Sequence, residues 1–388
     1  MKNLVYSDSV AEYLSRYVER MFQKNQEDFM KKILCVAMVL CLAVTGVFAG
    51  GSKESASAAV KVGVSMPTQS LQRWNQDGSN MKEQLEAAGY KVDLQYAGDN
   101  DIPTQISQIE NMVTGGCKVV VIAAIDGNAL TDCLENAKAA GVTVIAYDRL
   151  IMNTDAVSYY ATFDNWKVGT IQGEYIEQAL NLKTAAGPFY MEFFTGDPGD
   201  NNINFFFDGA MSILTPYINS GKIICLSGQT AKAQAATPGW ATDKAQERME
   251  NIITSIGYAP DGQKLDAVLC SNDSTAQGVI NALKEVGYTA ANMPVVTGQD
   301  CDKPNVKLMI AGEQSMSIFK DTRTLASKVV EMVDAILKGS AAPVNDRKTY
   351  DNGTGIIPSY LCDPVFGTVD NYKELLIDSG YYTMADIQ

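Results

Sequence analysis

The sequence predicts an α/β protein made of two doubly wound parallel-sheet lobes. Three observations carry that prediction. Short apolar runs alternate along the chain with stretches of helical period. The apolar runs lack the every-second-residue alternation of a half-exposed strand, which marks strands covered by helices on both faces. At 388 residues the chain also exceeds the roughly 250 to 300 residues that one core ordinarily reaches, and two strand–helix series of similar length follow each other without a Pro-rich linker.

Taken in order, residues 1–29 are a charged, mildly amphipathic stretch, expected to be an extension upstream of a true start at Met30. Lys31 and Lys32 then precede an uncharged run from Ile33 to Ala49 that closes on small residues before Gly50. This is the pattern of a secretory signal peptide cleaved after Ala49, and the run is short for a full membrane span. Residues 50–59 are a small, polar tether. From Val60 the first series reads VKVGVSM, KVVVIAAI, VTVIAY and SYYATF as strands, with YKVDLQYA after the first helix. The helices between them stop on glycines such as Gly89 and Gly115, the usual helix stop. The second series reads PFYMEFFTG, IICLSG, Ala267–Cys270 and Pro294–Thr297 as strands. After Asp300 come a short helix, the strand QSMSIF, a long helix TRTLASKVVEMVDAILKG and a strand IPSYLCDPVF.

Composition narrows the function. The formal charge of -14 makes nucleic acid and anionic membrane poor partners and favours a neutral or cationic ligand. There is no His, which removes His-ligated metals, Ser-His triads and His general bases. Beyond Ala49 the six cysteines show no CxxC spacing and sit in or beside apolar strands, so they read as small buried hydrophobes. The acidic DND at 99–101 reads as a loop and helix cap, and no metal or cofactor is expected.

In parallel sheets ligands bind off the carboxyl ends of the strands, and polar residues collect there. Arg73 and Trp74 follow the first strand, Asp148 and Arg149 the fourth, and Asp200 and Asn202 lie in the loop after PFYMEFFTG. Trp240 comes from TPGW, Asn272 and Asp300 sit past two further strand ends, and Lys320 follows QSMSIF. Taken singly, an Asp after a strand is ordinarily a helix cap. The whole set at strand ends points to a cleft between lobes. Indoles beside carboxylates, amides and basic groups suit a pyranose, whose C–H face stacks while its hydroxyls hydrogen-bond.

The motifs QRWNQDG, AYDRLI, GDPGDNN, CSNDSTAQGV, TGQD, SIFKDTRTLA and IPSYLCDPVF resemble those of periplasmic monosaccharide-binding receptors of the xylose-binding and multiple-sugar-binding type, which serve ABC importers. The resemblance runs from about Val60 to the C-terminus. It implies the type I periplasmic binding protein fold, with Trp74 and Trp240 stacking on the sugar. Arg73, Asp148, Arg149, Asp200, Asn202, Asn272, Asp300 and Lys320 would form a polar ring. It also implies three crossings, with residues 60–162 plus 300–339 in one lobe and 163–299 plus 340–388 in the other. An ABC transporter permease is the implied partner, a chemoreceptor or sensor kinase a further one, and a monomer the expected state. The cysteines in CSND, QDCD and YLCDP depart from the pattern.

Other classes fare worse. No GxGxxG or GxxxxGK[ST] follows any strand, and a sugar-sensing repressor would carry a basic DNA-binding segment where the apolar leader stands. A carboxylate-pair glycosidase fits Asp and Trp in a cleft but is the weaker reading, and the expectation is a receptor and not an enzyme.

Overall fold

The computed structural model describes residues 59–387. The expectations for residues 1–29, for the signal peptide and for most of the tether lie outside the described residues. The first sheet has six strands in the order β11-β5-β4-β3-β1-β2, with β11 being Ser359–Cys362. Five come from the first series: β1 (Lys61–Met66), β2 (Lys91–Tyr96), β3 (Val119–Ile122), β4 (Thr143–Tyr147) and β5 (Val157–Phe163). They pair in parallel, and β3 is buried along its whole length, as the missing alternation predicts. Helices α1 (Gln72–Ala87), α2 (Ile102–Thr114) and α3 (Thr131–Ala139) are the crossovers.

The second sheet is built from β6 (Phe189–Phe194), β7 (Ile223–Ile224), β8 (Ala267–Cys270) and β9 (Val295–Val296), in the order β7-β6-β8-β9 and again parallel. Its helices are α4 (Asn165–Ala179), α5 (Asn202–Asn219), the short turn α6 (Lys232–Ala235), α7 (Thr242–Ile256), α8 (Asp273–Glu285) and α9 (Lys303–Ile310). Helices α4 and α5 lie unusually close. A methyl at Gly169 would sit 2.1 Å from the Phe206 carbonyl oxygen, and one at Gly209 would sit 2.6 Å from that of Trp166. That approach fixes α5, whose first turn carries Asn202.

Two of the three crossings lie elsewhere than the sequence predicts. The first, expected near Thr162, falls where β5 ends and Asp164 caps α4 through a hydrogen bond from the Lys167 N–H. The return was expected near Gln299. Instead α9 docks on α8, with Asn305 Nδ2 donating to the Asp273 carbonyl, and β10 (Ser317–Phe319) runs beside the extension of β9. There the Ile318 N–H donates to the Gly298 carbonyl and the Asp300 N–H to that of Ile318. The chain therefore returns only after Lys320, where Asp321 caps α10 (Thr322–Leu337).

The sequence predicts the last crossing near Gly339 and one strand over IPSYLCDPVF. That segment is two strands in different lobes. β11 (Ser359–Cys362) joins β5 in the first sheet, and β12 (Val365–Gly367) pairs antiparallel with β10. Pro364 has no N–H for a ladder, so the chain breaks between them and crosses there. Residues 300–320 thus belong with the second lobe, and the segment up to Cys362 with the first.

Candidate functional site

Arg73 lies in the first turn of α1, just beyond the end of β1, and the fold surrounds it with acid. Its Nη1 donates to Asp300 Oδ1 at 2.8 Å and its Nη2 to Asp148 Oδ2 at 2.7 Å, while its Nε donates to Asp77. Asp77 is one helical turn away on α1, fully buried, and also accepts from the Tyr147 hydroxyl. Lys320 Nζ adds a second cation, 3.0 Å from Asp300 and 3.8 Å from Asp148. Across the cleft Arg149 Nε stands 3.0 Å from Asp200 Oδ2, an ion pair by distance whose angle is too poor for a hydrogen bond. The Arg149 Nη1 donates to the carbonyls of Ala124 and Ile125.

Charges this deeply buried reset one another. Burial alone would raise Asp148, but Arg73, Lys320 and Arg149 outweigh it and hold its carboxyl at about 2. Burial would likewise lower the Arg73 guanidinium, and Asp148, Asp77 and Asp300 hold it well above its usual value. For Asp77, burial prevails over Arg73 and lifts the carboxyl to about 6. Burial and then Asp300 lift Asp302 to about 7 against Arg73 and Lys320, and burial raises Asp200 despite Arg149.

Three of these residues are aimed by unusual backbone. Asp148 has φ +58°, Trp240 +56° and Asp300 +97°, a region that non-glycine residues seldom occupy. At Asp148 the Arg149 N–H closes a tight turn onto the Tyr147 carbonyl at 2.6 Å. The Asp148 carbonyl is then held by the hydroxyls of Tyr160 (2.6 Å) and Thr162 (2.9 Å) from β5 and by Asn202 Nδ2 (2.7 Å) from the other lobe.

Nine of the ten residues singled out in the sequence line one narrow cavity: Arg73, Trp74, Asp148, Arg149, Asp200, Trp240, Asn272, Asp300 and Lys320. Asn202 does not. Its side chain is spent on the Asp148 carbonyl, Tyr160 and Asn165, so it joins the lobes instead of lining the cavity. Asn272 does two jobs, lining the wall while capping α8 through the Thr275 N–H. The indoles face the same space, Trp74 under the Arg149 guanidinium at 4.9 Å and Trp240 edge-on to Phe206. Trp240 packs so tightly on the end of β6 that a methyl at Gly196 would come within 2.0 Å of its ring. The sequence reading missed Leu71, Phe206, Ser274, Gln299 and Asp302 on the wall. It also missed Asp77, although an acid four residues after a basic residue on a helix is a legible pair.

A wider vestibule adjoins the cavity, sharing Leu71, Trp74 and Arg149 with it and lined from both lobes by residues such as Asn100 and Gly239. The lobes also meet directly where the Gly127 N–H donates to the Gly199 carbonyl at 3.0 Å, and where Phe205 packs on Tyr350.

The acids have a consequence for stability. Asp77, Asp302 and the buried Asp273, which burial raises well above its usual value, bind protons more readily folded than unfolded. Each contributes stability that is complete below the unfolded value of about 4 and is lost as pH rises through the folded one. Asp148 is shifted the other way and acts only below that window. The thermal midpoint without sugar is expected to rise between about pH 7.5 and about pH 5, and Asp302→Asn to flatten the upper part of the rise. A midpoint falling steadily over that range would contradict this account.

Residues 62–341 match the description of a periplasmic binding protein domain. The chain belongs to the periplasmic binding protein family. It is 53% identical over 329 residues to the multiple sugar-binding periplasmic protein of Azospirillum brasilense, covering 84% of this chain and 91% of that one. It is 34% identical to the D-xylose-binding periplasmic protein of Escherichia coli, covering 92% and 100%. Among solved structures, an ABC transporter solute-binding protein from Clostridium phytofermentans with bound β-D-glucose is 65% identical, with a TM-score of 0.82 over 84% of this chain and all of that one. These relatives are binding receptors and not enzymes, and the periplasmic binding protein fold is the architecture found here.

Proposed function

We propose that the protein is a periplasmic receptor that takes a monosaccharide of the glucose, galactose or xylose kind between its lobes and, once closed, delivers it to the permease of an ABC importer. The observation that carries this reading is the cavity itself. Two indoles offer apolar faces beside a ring of carboxylates already ion-paired to Arg73, Arg149 and Lys320. Asp148, held ionised by Arg73 and Lys320, accepts hydroxyl protons, and charge-assisted bonds of this sort are worth roughly 1.5 to 3 kcal/mol each. The cavity's cations and acids nearly balance, which suits a neutral ligand. Closure is a hinge motion about the crossings at Asp164, Asp321 and Pro364. Relatives named for sugar binding, and a glucose-bound neighbour, support the ligand class. They support the periplasm as its location too, reached by way of the signal peptide at residues 30–49. Signalling through a chemoreceptor or sensor kinase is compatible with the same closed form, whereas a glycosidase has no support from the relatives.

Calorimetric titration with glucose, galactose, xylose, arabinose and ribose tests this. At least one is expected to bind near micromolar, about -8 kcal/mol, and Asp300→Ala is expected to abolish that binding. Silence from all five would overturn the ligand class.

A further inference from the structure

The start of α9 departs from a pattern kept at four other helices, as does that of α5, where Asn201 also makes no capping bond but does not line the cavity. Asp101, Asp164, Asn272 and Asp321 stand before α2, α4, α8 and α10, and each side chain accepts a backbone N–H of the first turn. Asp302 holds the same position before α9 and makes no such bond. Its own N–H is anchored on Asp273 Oδ2 at 2.9 Å, while its Oδ1 is buried without a partner among the described residues, on the wall of the inter-lobe cavity. Gln299, three residues earlier and 2% exposed, leaves its Oε1 in the same condition on the same wall. Unpartnered amide oxygens on Gln108, Asn165, Gln172 and Asn305 are different. They lie outside the cavity, and each of those amides already donates through its nitrogen.

A buried acceptor left unmade costs roughly 1 to 3 kcal/mol, and a forgone helix cap about 1 more. Local rules broken together at one place mark function.

We propose that Asp302 and Gln299 contact the ligand directly, as a pair of acceptors flanking Asp300 that receives two of its hydroxyl donors. The proposal rests on the monosaccharide reading and refines it. Acceptors of this kind reward a free hydroxyl and penalise a ring carbon that is deoxygenated or O-methylated, because the wall oxygen is then buried unpaired. Asp302 and Gln299 thereby set which hydroxyls the ligand must carry, while the Arg73 and Lys320 side of the ring holds the carboxylates.

The test compares D-glucose with its 2-, 3-, 4- and 6-deoxy derivatives by calorimetry on the wild type and on Asp302→Ala. In the wild type, at least one deoxy sugar is expected to bind roughly 10- to 100-fold more weakly than glucose. In Asp302→Ala glucose should weaken by a similar factor, and one of those deoxy sugars should lose its handicap while the others keep theirs. Asp302→Ser, which restores a capping hydroxyl, should show the same pattern in a protein whose thermal midpoint is at least as high as that of the wild type. Uniform weakening of every sugar, or no weakening, would overturn the contact. A wild type silent towards glucose and all four derivatives would overturn the underlying choice of a glucose-like ligand as well, which separates the two failures.

Discussion

Replacing Arg73 by methionine is expected to abolish sugar binding and to destabilise the protein by about 3–5 kcal/mol. Arg73 holds Asp77, Asp148 and Asp300 at once, and all four side chains are buried. Methionine fills much of the volume, so little of the loss is cavity; it comes from taking the shared cation from three buried carboxylates, of which only Asp148 and Asp300 keep Lys320 within 4 Å. They would respond by taking up protons, and a neutral carboxyl is a poorer acceptor for a hydroxyl. Arg73→Lys separates the two effects. A single ammonium keeps the charge but cannot aim three donors at three acids, so much of the stability should return while the affinity does not. Denaturant unfolding and calorimetry read the two quantities. A methionine variant within 1 kcal/mol of the wild type and still binding near micromolar would refute the clamp.

Trp240→Ala should weaken sugar binding by roughly 30- to 150-fold, about 2–3 kcal/mol. The indole is 4% exposed and lines the cavity at a backbone φ of +56°. It is wedged between Phe206 and the strand end at Gly196, so its plane is fixed before any ligand arrives. Truncation removes the stacking face and unseats part of the small core containing Val168, Phe206, Met316 and Ile318. Trp240→Phe preserves most of that packing and should recover most of the affinity. Wild-type affinity in the alanine variant, with an unchanged midpoint, would mean that the ring does not stack on the ligand.

Much of this site is legible in the sequence because of a general property of parallel sheets. Residues just past strand ends converge on one crevice, so Asp148, Asp200, Asn272, Asp300 and Lys320 can be named from hydrophobic runs alone. What resists reading is anything that depends on which neighbour a segment chooses. The strand around Ile318 adds to the edge of β9 and not to the first sheet, a choice of partner that its apolar residues do not encode. Pro364 was visible, yet only the pairing of β11 with β5 reveals that the chain changes lobe there. Asn202 has the right chemistry and a neighbouring position, but its amide is taken by the Asp148 carbonyl. Asp302 looks like an ordinary cap until its bond is found missing.

The direct contacts between lobes carry a cost of their own. The bond from Gly127 to Gly199, the tilted packing of Phe205 on Tyr350 and the grip of Asn202 on Asp148 involve no ligand atom. Whatever they contribute to closure, they contribute to the empty receptor as well as to the loaded one. Stronger contacts would tighten apparent affinity by raising the population of the binding-competent form, but in the proposed transport role they would also present more unladen closed receptors to a permease. The lobe interface also includes the Arg73–Asp300 and Arg149–Asp200 pairs and the bonds of Gln72 and Gln76 to the Tyr382 hydroxyl. It therefore sets the balance of open and closed forms as much as the cavity does.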